Sequence, residues 1–177
     1  MIELIDVLTP DGQPAGVRKP KDAIHRDGDW HRAAHVWIIA PDGRLLLQRR
    51  SLRKENNPGL WDVSTAGHLS AGETALEAAV RETFEEIGLA IPIEALEFVT
   101  ALRESSVLNG GRYIDNEFHE IFVVRREVDV ESLRLDPEEV AEVKWIHDLR
   151  PDETFVPHAE EYALLSRLRR PGAQRRA

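Results

Sequence analysis

The 177-residue sequence contains no cysteine and few aromatic residues. The absence of cysteine excludes disulfides, zinc–thiolate sites and cysteine nucleophiles together, and it fits a reducing compartment. Aromatic residues make up 6% of the chain, whereas hydrophobic residues make up 42% and charged residues 31%. This balance is typical of a globular protein, and the length predicts a single domain over residues 1–177.

The sequence also lacks long apolar runs and an excess of positive charge. No stretch approaches the roughly 18 apolar residues that would span a bilayer, and the acidic start is unlike a secretory signal. We therefore expect a soluble, cytoplasmic protein with no membrane partner. The formal net charge is −9, so nucleic acid, whose phosphates attract basic proteins, is not an expected partner either.

Apolar periodicity and turn signals predict a mixed chain of strands and helices. Strands are predicted over 2–8, 15–18, 32–40, 44–49, 61–66, 95–104, 112–126 and 141–146, and helices over 74–87 and about 157–169. The segments 20–31 and 51–59 are predicted to be polar connections, and 170–177 a frayed tail. Strands mixed with two helices predict a mixed sheet between helical layers.

The segment 74–87 carries helix signals at both ends. Thr74, followed three residues later by Glu77, is a capping-box pattern, and Gly88 stands where a left-handed residue commonly ends a helix. A mostly apolar face is predicted from residues at helical spacing, which are Leu76, Ala79, Val80, Thr83 and Ile87.

Three glutamates of the same helix, Glu82, Glu85 and Glu86, stand at i, i+3 and i+4. They share an arc of roughly 100°, away from the apolar face, in which Ala78 leaves room for a ligand. Like charges at this spacing repel, and a helix C-terminus disfavours anions. The cluster suggests a compensating Mg²⁺ or Mn²⁺ ion, because these ions prefer oxygen ligands. For an isolated triplet of this kind, a solvated acidic face is the better interpretation.

The wider segment 67–89 resembles the Nudix box, Gly-x5-Glu-x7-Arg-Glu-U-x-Glu-Glu-x-Gly-U, where U is a bulky aliphatic residue. The spacing is far more specific than a short glycine fingerprint. One position departs, because Thr83 occupies a U site; it lies on the predicted buried face and so bears on packing. The matching residues are Gly67, Glu73, Arg81, Glu82, Glu85, Glu86, Gly88 and Leu89.

The resemblance implies an α/β/α sandwich with a mixed β-sheet. It implies that Glu82, Glu85 and Glu86 coordinate Mg²⁺ (or Mn²⁺), with the Gly67 carbonyl as a further ligand, and that Glu73 pairs with Arg81. The implied reaction is attack of a metal-activated water on a diphosphate linkage. The substrate would be a nucleoside diphosphate derivative or a related small phosphorylated metabolite, and a homodimer is the expected assembly.

The flanking stretches 49–61 and 64–68 resemble the branch that contains type I isopentenyl-diphosphate isomerase and its hydrolase relatives. The isomerase has a catalytic cysteine immediately before the Gly-His pair, where this sequence has Ala66. This difference favours hydrolysis over isomerisation. Arg50 and Lys54 match positions that contact the diphosphate, and a solvated basic loop is the equal alternative.

Glu117 lies in Asp115-Asn116-Glu117, which resembles an acidic pair that helps the isomerase to bind metal. Glu117 is therefore a candidate metal ligand or general base, with Glu85 and Glu86 as the other catalytic candidates and a surface strand residue as the alternative. His31 and His68 also match isomerase metal ligands, and His25 lies one residue from a third. We interpret each of these histidines as structural or solvated, and His35 and His119 belong to no pattern.

Two rival functions remain open from the sequence. The first is an isomerase of isoprenoid diphosphates, which the missing cysteine disfavours. The second is a non-catalytic sensor domain that binds a nucleotide or a sugar phosphate, which the intact glutamate cluster disfavours.

Overall fold

One mixed sheet of nine strands, with three helices, makes up the main regular structure of residues 3–168, the part of the chain that the computed structural model describes. The strands are β1 (Leu4–Leu8), β2 (Pro14–Pro20), β3 (Trp30–Ile39), β4 (Leu45–Arg50), β5 (Trp61–Asp62), β6 (Thr65–His68), β7 (Glu97–Leu108), β8 (Tyr113–Arg125) and β9 (Val140–Ile146). The helices are α1 (Lys21–Asp27), α2 (Ala75–Ile87) and α3 (Ala159–Leu168).

The central strand is β3, which pairs antiparallel with β1, β4 and β6 and parallel with β8. The parallel pairing makes the sheet mixed, as predicted. Its register places His31 beside Glu117, and the pairing with β6 places Ala34 opposite Gly67. The register of the central strand therefore brings distant parts of the sequence to one end of the sheet.

Hydrophobic cores lie on both faces of this sheet. Successive side chains of a strand point to opposite faces. Val36 accordingly packs with Ala79 of α2 in one core, whereas Trp37 packs with Leu165 of α3 in the other. Helices thus cover both faces, which confirms the predicted α/β/α sandwich.

The structure differs from the predicted elements in two places. The segment 20–31, predicted to be a polar connection, contains α1, which ends at Gly28 with a φ of 70°. This helix buries only Ile24 and His25, too few residues to produce a periodic apolar pattern. The single strand predicted over 61–66 is two short strands, β5 and β6, which pair with different neighbours.

Some predicted elements extend beyond the described residues. Residue 2 of the first strand, residue 169 of the last helix and the tail 170–177 lie outside them. Between residues 3 and 168, no helix combines the length and the apolar character needed to cross a membrane.

Candidate active site

A cleft of about 940 Å³ brings together all the predicted site residues. Its walls include β6, α2 and β8, which carry the predicted carboxylates and the backbone ligand. The predicted cations come from the last residue of β4, Arg50, and from the loop that follows it, Lys54. The cleft is lined by Gly67, Glu82, Glu85, Glu86, Glu117, Arg50 and Lys54.

Helix α2 is held at both ends as predicted. The Thr74 hydroxyl accepts a hydrogen bond from the Glu77 backbone N–H, and the Glu77 carboxylate accepts one from the Thr74 backbone N–H, 2.9 Å away. Gly88 ends the helix with a φ of 70°. A Cβ atom at Gly88 would lie 2.9 Å from the Arg134 carbonyl oxygen, so the chain can turn there only with glycine.

Arg81 connects the loop before the helix to the glutamates on it. Its guanidinium donates two hydrogen bonds of 2.8 Å to Glu73, which confirms the predicted pair. The same group donates to Glu82 at 2.6 Å and to Glu85 at 3.0 Å, and to the His68 carbonyl oxygen at 3.0 Å. Arg81 therefore fixes the position of the glutamates relative to β6.

The predicted faces of α2 need a correction. Ala78, predicted to leave room for a ligand, is fully buried in the core, whereas Leu76, predicted to be buried, is exposed. Glu86 is only 4% exposed, so this glutamate belongs to the buried face rather than lying away from it. The packed face is rotated towards Ala75 and Ala78, which belong to the hydrophobic core, and away from Leu76.

Thr83 fits the buried face although it departs from the box pattern. Its hydroxyl donates to the Ala79 carbonyl oxygen at 2.7 Å and lies 2.9 Å from the Thr65 hydroxyl. A buried hydroxyl with hydrogen-bond partners carries no large desolvation penalty. The substitution is thus accommodated by packing and does not disturb the acidic residues.

Gly67 is required where the Glu82 carboxylate covers β6. A Cβ atom at this position would lie 2.0 Å from the carboxyl carbon of Glu82. Burial raises the pKa of Glu82, while Arg81 opposes this shift. The glycine therefore allows a carboxylate and a backbone segment to approach within the distance that a shared cation would need.

We predict that Gly67→Ala lowers activity by roughly 10- to 100-fold, the range seen when the surroundings of a metal ligand are disturbed. The new methyl group would displace the flexible end of Glu82 and leave the β6 backbone in place. The measurement is turnover together with the midpoint of thermal unfolding. Full activity, or a collapse of the unfolding transition, would contradict this reason for the glycine.

Glu86 is the most deeply buried of the three glutamates. Its carboxylate accepts hydrogen bonds from the Ala66 backbone N–H at 3.1 Å and from the Gln48 amide at 3.2 Å. Burial, together with the nearby charge of Glu82, raises its pKa well above the ordinary value. A buried and a half-buried carboxylate one turn apart fit a divalent cation, because such an ion offsets the cost of keeping both charged.

Glu85 lies differently from the other two glutamates. Its side chain is 57% exposed, and it stands at the rim of the cleft beside Arg81. The structure therefore separates an inner pair, the buried Glu86 and the half-buried Glu82, from an outer carboxylate.

The predicted phosphate-binding cations line the cleft but have acidic partners. Arg50 donates to Asp62 at 3.1 Å and to the Asn56 carbonyl oxygen at 3.1 and 3.2 Å. Lys54 contacts Glu139. Both cations are half-buried, so the interpretation of a freely solvated basic loop does not describe them.

A cluster of histidines and carboxylates, which includes Glu117, connects α1 to the sheet. His25 and His31, interpreted from the sequence as structural or solvated, are buried within it and therefore not solvated. Ligand atoms of four members lie within 4.8 Å of one another. The members, called the α1 cluster below, are His25, His31, His68, Asp115 and Glu117.

The α1 cluster fits a divalent metal. Nε2 of His25 is buried without a hydrogen-bond partner. Beside it, His25 Nδ1 lies 3.3 Å from Asp115 Oδ1, and His31 Nε2 lies 3.2 Å from a Glu117 oxygen. Buried polar atoms are normally paired, so an unpaired imidazole nitrogen among these groups points to a cation. Imidazole nitrogens and carboxylates form a donor set that suits transition metals.

Glu117 is only 9% exposed, so it is not a surface strand residue. One carboxylate oxygen lies 3.2 Å from His31 Nε2 and 3.1 Å from His68 Nε2, and the other lies 2.9 Å from His119 Nε2. Burial raises its pKa, but the three histidines outweigh burial and hold the pKa well below the ordinary value. Glu117 is therefore a buried carboxylate that stays ionised.

A model of the NUDIX domain matches residues 29–163. The chain belongs to the NUDIX family. Nudix hydrolase 3 from Arabidopsis thaliana is 45% identical to this NUDIX domain over 147 residues, which cover 81% of this chain and 19% of that protein. An isopentenyl-diphosphate Delta-isomerase from Streptomyces coelicolor is 31% identical over 158 residues, covering 89% of this chain and 76% of that protein.

Solved structures show the same fold. A crystal structure from Deinococcus radiodurans superposes on this NUDIX domain with a TM-score of 0.61 and 22% identity, covering 81% of this chain and 83% of that one. A MutT protein from Methanosarcina mazei gives a TM-score of 0.61 and 20% identity, with coverages of 80% and 96%. The family, its isomerase-containing branch and the fold class are thus confirmed.

Proposed function

We propose that this NUDIX domain is a metal-dependent diphosphohydrolase. It cleaves the diphosphate linkage of a nucleoside diphosphate derivative or a related small phosphorylated metabolite. The observation that carries the proposal is the inner pair Glu82 and Glu86 beside Gly67, in a cleft whose other wall carries Arg50 and Lys54.

Each acidic residue has an assigned role. Glu82, Glu85 and Glu86, with the Gly67 carbonyl oxygen, hold Mg²⁺ (or Mn²⁺). When bound, such an ion lowers the pKa of a water molecule and neutralises charge on the phosphates. The buried position of Glu86, with Ala66 and Gln48 as donors, keeps its carboxylate oriented towards the cleft.

Glu117 is the general base, with Glu85 and Glu86 as the other candidates. Its histidine neighbours keep it ionised, and it lines the same cleft as the glutamates of α2. A carboxylate that stays ionised beside the substrate is available to accept the proton of the attacking water, although its low pKa makes it a weaker base than a carboxylate with a raised pKa, such as Glu86. The histidines of the α1 cluster orient this carboxylate, and they also provide nitrogen ligands for a further divalent ion.

The basic wall of the cleft binds the diphosphate. Arg50 and Lys54 each have an acidic partner, Asp62 and Glu139, in the absence of substrate. A bound diphosphate would compete for these cations through charge-assisted hydrogen bonds. The acidic partners hold the cations in place until the substrate arrives.

The test is a substrate panel. Nucleoside diphosphate derivatives, nucleoside triphosphates, sugar nucleotides and dinucleotides are incubated with Mg²⁺ or Mn²⁺ in ¹⁸O-labelled water, and products are identified by mass. We expect cleavage between two phosphorus atoms, ¹⁸O in one phosphate product and no reaction with chelator. Tight binding of a ligand without cleavage in any metal would instead support a sensor domain.

A second candidate, an isoprenoid diphosphate isomerase, is favoured by the α1 cluster and by the isomerases among the relatives. Ala66 and the complete glutamate set oppose it. Incubation with isopentenyl diphosphate distinguishes the two, because hydrolysis releases phosphate whereas isomerisation yields the dimethylallyl isomer. Formation of that isomer without phosphate release would overturn the proposed hydrolase.

A further inference from the structure

A second buried group of histidines and carboxylates lies on the other side of Glu117, next to α3. The chain has seven histidines, of which three are in the α1 cluster, three are in this group and His147 is exposed. Sequence patterns single out none of its members. The group, called the α3 cluster below, consists of His35, His119, His158, Glu104 and Glu161.

His119 places an unpaired nitrogen at the centre of the α3 cluster. The residue is 2% exposed, and its Nδ1 atom has no hydrogen-bond partner. This atom lies 3.8 Å from a Glu104 oxygen and 3.9 Å from a Glu161 oxygen. These separations are too long for hydrogen bonds, but an ion ~2.1 Å from each of two ligand atoms holds them roughly 3.4 to 4.2 Å apart.

Residues outside the α3 cluster contact the polar atoms of His119, Glu161 and His158 that do not face the centre of the cluster. His119 Nε2 lies 2.9 Å from Glu117, and the second oxygen of Glu161 accepts a 2.6 Å hydrogen bond from Trp37 Nε1. His158 Nε2 lies 3.4 Å from Asp62. Metal-binding histidines commonly have a carboxylate on the ring nitrogen that does not bind the metal, and this is the arrangement seen for His119.

The remaining imidazoles lie beside the two carboxylates. His35 Nδ1 is 2.9 Å from the Glu161 oxygen that faces His119, and its ring stacks on that of His119 with centroids 4.0 Å apart. His158 Nδ1 lies 3.1 Å from Glu104. A small cavity of about 40 Å³ adjoins Glu104, His119 and His158, which leaves space for a water molecule as an additional ligand.

Two triads of the α3 cluster share His119, one with His35 and Glu161 and the other with Glu104 and His158. In each triad, one ligand atom of every member lies within 4.8 Å of the others. A divalent cation beside His119 Nδ1 would therefore have carboxylate and imidazole ligands within reach.

We propose that the α3 cluster binds a divalent transition metal ion through His119 Nδ1, Glu104 and Glu161, with His35 and His158 as further ligands. The mixture of imidazole nitrogens and carboxylate oxygens suits Zn²⁺ and related ions rather than Mg²⁺. The site is distinct from the glutamates of α2 and from the α1 cluster, so it does not depend on the proposed hydrolase activity.

The test uses the full chain, stripped with chelator and dialysed against Zn²⁺, with metal content measured by mass spectrometry. His158→Asn and Glu161→Gln are compared with His147→Asn, an exposed histidine that serves as the matched control. We expect each α3 variant to hold about one equivalent less than the control, which should equal the unmodified chain. Circular dichroism verifies folding, and His158→Asn serves as the main variant if Glu161→Gln fails to fold.

Diffraction at the zinc absorption edge locates the ion independently of any variant. The expected result is an anomalous peak between His119 Nδ1 and Glu161, retained in a His25→Asn variant that disrupts the α1 cluster. Equal zinc contents in the α3 variants and the control, or no peak beside His119, would overturn the proposal and leave a hydrogen-bonded network. Neither readout measures diphosphate cleavage, so failure of the proposed function would be seen separately in the substrate panel.

Discussion

Glu86→Gln is expected to lower turnover of the best substrate by roughly 10²- to 10³-fold, the range seen when one group that stabilises a transition state electrostatically is removed. The amide has the same size and keeps its carbonyl oxygen near the Ala66 N–H and the Gln48 amide. It removes the negative charge that a divalent ion needs. The variant should therefore fold normally but fail to bind metal tightly.

The same substitution has a second expected effect on stability. Burial raises the pKa of Glu86, which means that the ionised carboxylate is unfavourable in the folded protein when no metal is bound. In chelator, Glu86→Gln should therefore unfold at the same temperature as the unmodified chain or at a higher one. Added Mg²⁺ should stabilise the unmodified chain more than the variant.

Further variants distinguish the loss of turnover in Glu86→Gln from the effect of a general loss of acidic charge. Glu94→Gln changes an exposed glutamate in the 3-10 turn after α2 and should retain full activity. Glu85→Gln should also lower turnover by orders of magnitude if the outer carboxylate moves onto the ion. Full activity of Glu86→Gln with its best substrate would show that the inner pair does not hold the catalytic ion.

Glu117→Gln is the substitution with the second large effect, and we expect turnover to fall by roughly 10²- to 10⁴-fold, the range for loss of a general base. The amide cannot accept a proton from water. The amide also replaces one carboxylate oxygen by an NH₂ group, although both oxygens of Glu117 now face histidine nitrogens. The matched control is Glu120→Gln, which lies on the same strand and pairs with Arg32 instead.

Titration with Mn²⁺ distinguishes the two roles of Glu117. If Glu117 is the base, kcat stays low at saturating metal. If it acts only as a metal ligand, kcat recovers at high metal concentration while the concentration for half-maximal activity rises. A variant with unchanged kcat and unchanged metal dependence would exclude both roles.

Helix α2, which carries three of the glutamates of the Nudix box, could be predicted closely because the residues that define its ends lie close together in the sequence. Thr74, Glu77 and Gly88 define the ends of α2 within a few residues of sequence, and the predicted span 74–87 differs from the observed helix only at its first residue. The pairing of Glu73 with Arg81 was implied by the resemblance to the Nudix box. The pattern did not indicate that Glu86 would be buried. The carboxylate contacts Gln48 of β4, which is distant in sequence.

The histidine clusters could not be predicted for a related reason. Their members come from segments that are distant in sequence and that meet through the pairings of β3 with β6 and β8 and of β7 with β8. His31 and Glu117 are neighbours in the register of β3 with β8 but far apart along the chain. The resemblance to the isomerase pointed to His31 and His68, but each was interpreted as structural or solvated, and the short helix α1, which contributes His25, carries no periodic signal. No pattern pointed to the histidines of the α3 cluster.

Diffraction from a crystal soaked in Mn²⁺ tests the central claim most directly, because manganese scatters anomalously and replaces magnesium at oxygen sites. The account predicts an anomalous peak at coordination distance from the carboxylates of Glu82 and Glu86, beside the Gly67 carbonyl oxygen. Carboxylates turned towards solvent, with no peak between them at saturating Mn²⁺, would contradict it.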